Sequence, residues 1–241
     1  MKYEMSIEFT KENMNNYFKE LGKEFRKRNG TKMRAEIVLI GGGAVLANYR
    51  FRDVTTDMDA IIRSSSVMKE AILHVSDKHN LPHDWLNEGF KNTESYSDKL
   101  EEVSVYYKTF SNILEIRSVT AEYLIAMKLM SGRGYKNDLS DIAGILWEHK
   151  QNGNPLSKEV IKNAVIKLYG RKSLPETSIR LLDEVFKDDD YERIYFRYRE
   201  SEKEAKGFLL EFDKSNPGEL KGENINTIIE LMRQRKMEFE Q

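Results

Sequence analysis

The sequence predicts an α+β fold: a mixed β-sheet with helices, followed by a helical C-terminal half. Three observations carry this reading. The stretch "IVLIGGGAVLANYRFRDVTTDMDAIIR", Ile37 to Arg63, runs from an apolar strand into three glycines, a short helix-like segment and a second apolar run that opens on Asp57-Met58-Asp59. "VSVYYKTFSN" and "ILEIRS" read as two strands joined by a turn at Ser111-Asn112. From Pro155 onward no strand pattern appears, and four segments carry helical periodicity.

The elements follow in order. Thr10 is placed to cap a helix from about Lys11 to Arg28, with Met14, Tyr17, Phe18, Leu21 and Phe25 on one stripe and Gly30 ending it. Ala35 to Ile40 is a strand. A short helix is expected over Ala44 to Tyr49, and a second strand over Met58 to Ile62. Ser64 to Ser66 cap a helix running to about Lys78. The segment "NLPHDWLNEGFKNTESYSDKLEE" is loop-rich. After the strand pair, Thr120 caps "AEYLIAMKLMSG", a helix apolar enough to be central, with Glu122 favouring its dipole. "GRGYKND" breaks that helix, and "DLSDIAGILWEHK" forms the next. The domain division expected from this pattern is 1–150 for the α/β part and 151–241 for the helical part.

The 241 residues include 39 basic and 40 acidic side chains, so bulk charge gives no warrant for nucleic-acid binding. There is no cysteine, which excludes disulfides, thiolate zinc sites and cysteine nucleophiles. The N-terminus lacks a signal-peptide core and no segment approaches a membrane span. A cytoplasmic protein with no membrane partner is expected.

Glycines directly after a strand allow a tight turn, and the amides of a following helix can receive phosphate. The spacing is neither a Walker loop nor a Rossmann fingerprint. Asp57 and Asp59 are two apart, so on a strand they project from one face while Met58 and Ala60 point inward. Paired carboxylates repel unless a cation joins them, and Mg²⁺ is the simplest one. Taken alone, a solvated strand end with two surface aspartates is the commoner reading.

The ordered set "GGGAVLANY…TTDMD" resembles the nucleotidyltransferase superfamily that includes DNA polymerase beta. The resemblance implies that Gly41, Gly42 and Gly43 hold a nucleoside triphosphate (NTP) and that Asp57 and Asp59 bind Mg²⁺. Thr55 and Thr56 fall at that family's small hydroxyl positions. "LIAMKLMSGRGYKNDLSDI" is similar to the lysine and aspartate motifs of abortive-infection nucleotidyltransferase toxins. There it implies roles for Lys128, Asp138 and Asp141 in catalysis, with Asn137 standing where that pattern has arginine. Asp138 and Asp141 are three apart and share a helix face. The bland alternative is that Lys128 snorkels from an apolar helix and Asp138 is an N-cap. The family's third metal-binding carboxylate would be Glu115; Glu101 and Glu102 are poorer candidates.

Arg50, Arg52 and Arg63 flank the glycine and aspartate elements and read either as phosphate contacts or as solvated charges. The four histidines lack metalloprotease spacing, and Trp85 and Trp147 read as packing residues. The function that follows from the resemblance is transfer of a nucleoside monophosphate (NMP) from an NTP to a hydroxyl, on a tRNA end or a partner protein. A non-catalytic or antitoxin-like binding protein and an aminoglycoside-type transferase are the alternatives.

Overall fold

A computed structural model of the chain describes residues 7–31, 33–63 and 66–239. In chain order its first part contains β1 (Phe9–Thr10), α1 (Lys11–Asn29), β2 (Ala35–Leu39), α2 (Gly41–Asn48), β3 (Val54–Thr55), β4 (Ala60–Arg63) and α3 (Ser66–His79). Then come β5 (Ser104–Phe110), β6 (Leu114–Val119), α4 (Ala121–Ser131) and α5 (Asp138–Gln151). The helices α6 (Lys158–Tyr169), α7 (Glu176–Asp188), α8 (Tyr191–Ser215) and α9 (Ile225–Phe239) complete it. The fold is therefore α+β with a helical C-terminal half, as the sequence predicts.

Local chemistry explains several boundaries. Thr10 caps α1 in a reciprocal box with Asn13: the Asn13 amide donates to Thr10 Oγ1 and the Thr10 amide donates to Asn13 Oδ1. The buried face of α1 carries Met14, Phe18, Leu21 and Phe25. Ser111 and Asn112 have φ of 53° and 57°, the left-handed pair that lets a two-residue turn match the twist of β5 and β6. The expected cap at Ser64 and Ser65 lies outside the described residues.

Four strands form one sheet in the order β4-β2-β6-β5, with β2 antiparallel to β4 and parallel to β6. Leu39 sits opposite Ala60 on one side and Ser118 on the other. The C-terminal end of β2 thus meets the start of β4 and the end of β6 at one edge. Glu36 pairs with Arg63 and Glu115 at the opposite edge. The separate β1–β3 pair has no sequence signal, because two-residue strands carry no periodicity.

Helix α4 is central. Leu124 through Met130 are all buried, Lys128 among them. It packs on α5 and α6, and α5 packs on α8. Buried apolar residues from Phe9 to Tyr195 form one continuous cluster. Among the described residues, that cluster has members on both sides of residue 150. Among the described residues, no helix is long and apolar enough to cross a membrane.

Candidate functional site

The glycines sit differently from expectation. Helix α2 begins at Gly41, three residues before the predicted start, so all three glycines lie in its first turn. Gly41 has φ +53°, a conformation that L side chains rarely adopt. Gly42 is glycine for another reason: a β-carbon there would meet Thr55 Oγ1 at 2.3 Å. Gly43 faces the Met58 sulfur, which a β-carbon would meet at 3.2 Å. The glycines let α2 lie directly against the segment that carries the aspartates. The earliest of the helix bonds runs from the Ala44 amide to the Ile40 carbonyl, which leaves the glycine amides without intrahelical acceptors.

Asp57 and Asp59 lie just ahead of β4, with Met58 fully buried between them. Asp59 bridges to Asn87 in a parallel pairing, through the Ala60 amide to the Asn87 carbonyl and the Asn87 amide to the Met58 carbonyl. That pairing sets the Gly89–Asn92 turn beside the aspartates. Burial, and then the Asp57 charge, raise the Asp59 carboxyl above its ordinary value; Lys136, Arg133 and Lys128 act the other way. Asp57 is more exposed and stands 3.8 Å from the Lys136 ammonium.

Asp138 and Asp141 share the face of α5 that meets Lys128 of α4. Lys128 Nζ is 3.3 Å from Asp138 Oδ1 and 2.7 Å from Asp141 Oδ2. Arg133 Nε is 2.8 Å from Asp138 Oδ2. Burial would raise the Asp138 carboxyl, but Lys128 and Arg133 outweigh it and hold it at about 2. Arg52 donates to Asp141 and, through Nε, to the Val54 carbonyl. Asp138 is the first residue of α5 and not its cap; Asn137 holds the cap position without a side-chain bond. The α5 N-terminus is capped from a distance, since the Leu139 and Ser140 amides donate to Glu202 of α8.

These groups surround one cleft of about 210 Å³. Ile40, Gly41, Asp57 and Asp59 form one wall. Met127, Lys128, Ser131, Arg133, Lys136 and Asp138 form a second, and Gly89, Phe90, Thr93 and Ser95 a third. Three carboxylates and three cations share it, so the lining is charge-balanced. Residues 16–206 of the chain match the family described as nucleotidyltransferases of unknown function (DUF6036). The chain belongs to that family. Neither a curated protein nor a solved structure matches it significantly.

Within this nucleotidyltransferase chain, the cleft brings together Gly41, Asp57, Asp59, Lys128 and Asp138. Gly42, Gly43 and Thr55 lie behind it, with Thr55 buried and its hydroxyl between Arg52 and the Asp57 backbone. Thr56 is exposed and does not line the cleft. Asp141 has no exposure and lies beneath the cleft, binding Arg52 and Lys128.

Glu115 is not brought to the aspartates. It pairs with Glu36 at the far end of the sheet and bonds Arg117 at 3.1 Å. Among the described residues, no group of three or more histidines or acids could hold a metal ion, so the expected trio of Asp57, Asp59 and Glu115 is not assembled. The register explains it: four residues along β6 separate Glu115 from Val119, which follows the partner of Leu39. At about 3.3 Å per residue, that is roughly 13 Å. Two carboxylates still fit Mg²⁺, which commonly takes one or two from the protein and the rest from substrate phosphates and water.

Arg52 and Arg63 are ion-paired, to Asp141 and to Glu101. Trp85 is buried against Phe9, Tyr17 and Phe18, as a packing residue should be. Arg133 and Lys136 are not among the residues the sequence motifs mark, although basic residues in a glycine-rich break directly after the lysine helix are a readable signal. Phe90, Thr93, Ser95 and Glu202 carry no local sequence pattern.

Proposed function

We propose that the protein transfers an NMP from an NTP to a hydroxyl acceptor at this cleft. The observation that carries the reading is the meeting of Gly41, Asp57 and Asp59 with Lys128 and Asp138, from segments far apart in the chain. Asp57 and Asp59 would hold Mg²⁺, which when bound supplies positive charge between the carboxylates and the phosphates. The Gly41 amide, at the cleft wall, donates to a phosphate oxygen, and Gly42 and Gly43 shape the turn that presents it. The acceptor hydroxyl oxygen attacks the α-phosphorus and gives up its proton to solvent, a new P–O bond forms as the α–β phosphoanhydride bond breaks, and pyrophosphate leaves. Lys128, fixed by Asp138 and Asp141, presents charge at the cleft wall where negative charge develops. By the likeness of the Lys128 and Asp138–Asp141 motifs to abortive-infection toxins, the acceptor would be a tRNA end or a protein hydroxyl.

The two-carboxylate set favours one second reading, a nucleotidyltransferase fold that binds nucleotide without transferring it. One assay separates the two. Each labelled NTP is incubated with Mg²⁺ and either total tRNA or cell extract, using wild type, Asp57→Asn and Asp59→Asn. Transfer by wild type that either substitution abolishes is expected. Transfer that survives both would overturn the assigned site. Mg²⁺-dependent NTP binding without transfer would establish the second reading.

A further inference from the structure

We propose that Lys136 is the residue that receives the polyphosphate of the nucleotide, on a loop braced by three separate elements. The proposal rests on the nucleotide-binding reading of the cleft and names which cation serves it.

The cleft offers three cations, and they differ in what they would give up. Lys128 is buried and lies within hydrogen-bond or ion-pair distance of two buried carboxylates. Arg133 is bonded to Asp138, which is itself buried. Drawing either toward a phosphate would take one of the two cations from a buried carboxylate, which is costly. Lys136 is different. Its side chain is 47% exposed and its carboxylate partner, Asp57, is 57% exposed. Their 3.8 Å separation is beyond hydrogen-bond length. An exposed pair of this kind is weak, so its exchange for phosphate costs little. Its 3.8 Å approach to Asp57 places its charge at the aspartate end of the cleft.

The loop between α4 and α5 is held at three points around Lys136. Gly132 ends α4 in a left-handed conformation, and Thr177 at the start of α7 donates to its carbonyl at 3.2 Å. Arg133 is held by Asp138. Tyr135 packs against a small apolar cluster of Ala205, Leu209, Ile228 and Ile229, built between α8 and α9. The family match ends at residue 206, so α9 and the last part of α8 lie beyond it. The hairpin they form therefore braces a cleft loop through Tyr135, one residue from the ammonium.

The test measures binding of ATP, GTP, CTP and UTP at saturating Mg²⁺ by calorimetry, and then of the monophosphate of whichever binds tightest. Lys136→Gln is expected to weaken the triphosphate about tenfold and the monophosphate less than about twofold, the loss of one charge-assisted contact. Lys136→Arg should restore most of the difference. Tyr135→Ala should reproduce the selective loss and Tyr135→Phe should not, with retained monophosphate affinity showing that the cleft is intact. Equal losses for both ligands, or no loss, in Lys136→Gln would overturn the assignment while leaving the cleft a nucleotide site. Wild-type affinity in Tyr135→Ala would overturn the bracing. A wild-type protein that binds no triphosphate would overturn the nucleotide reading itself, and this proposal with it.

Discussion

Lys128 lies 2.7 Å from Asp141, a carboxylate with no solvent exposure, and Arg52 reaches the same oxygen from the segment after α2. The lysine is thus both a wall of the cleft and a structural counter-charge. Its two roles have separate consequences.

Lys128→Ala leaves Asp141 with Arg52 and Asp138 with Arg133, each with one cation fewer in a buried setting. We expect a loss of about 3 kcal/mol of stability, near the lower end for breaking a buried pair because a second partner survives. The urea midpoint measures it. An unchanged midpoint would show that Lys128 is not a structural charge.

Gly42→Ala places a β-carbon 2.3 Å from Thr55 Oγ1. Thr55 has little room to yield, being buried and bonded to Arg52 at 3.3 Å. Overpacking of this kind costs about 1–3 kcal/mol. Adding Thr55→Ala removes the obstructing hydroxyl and should recover part of it. A double-mutant cycle by urea denaturation reads the coupling; additive effects would refute the contact.

Glu202 gives a pH dependence. Burial pushes its carboxyl up to about 8 from 4.5; the Ser140 and Leu139 bonds resist this, and the Asp141 charge adds to it. Between those two values the folded chain keeps a proton that the unfolded chain releases. Stability therefore falls as pH rises through that window and is level above it. Urea midpoints of wild type from about pH 5 to pH 8 should decline relative to Glu202→Gln, which has no proton to lose. Parallel curves would exclude Glu202 as the cause.

Glu115→Gln should leave nucleotide binding and any transfer at wild-type level. Its carboxylate bonds Arg117 at 3.1 Å in a partly exposed pair, so the stability change should stay within about 1 kcal/mol. Loss of Mg²⁺-dependent binding in this variant would return Glu115 to the ligand set.

What could be read along the chain was whatever neighbours in sequence decide. The Thr10 cap, the Ser111-Asn112 turn, the buried Met58 between two aspartates and the shared face of Asp138 and Asp141 all follow from local geometry. So do the α+β order and the helical second half, because hydrophobic period depends on residues a few positions apart. The sequence places the start of α2 late because glycine has low helix propensity; the positive φ of Gly41 and the close approach of Gly42 to Thr55 and of Gly43 to Met58 account for three of them in a helix.

The partners of the charges were decided by tertiary structure. Arg52 and Asp141 are 89 residues apart, and Leu139 and Glu202 are 63 apart. Sequence marked Lys128, Asp138 and Asp141 as one motif. It held no information on which of them would be buried, since burial depends on how α4, α5 and α8 pack. Glu115 had the right residue type on a neighbouring strand, yet the register of β6 against β2 carried it to the far edge of the sheet. The chemistry of the site was written in residue types; the fold chose which carboxylates and cations share the cleft, because that choice is made by long-range packing.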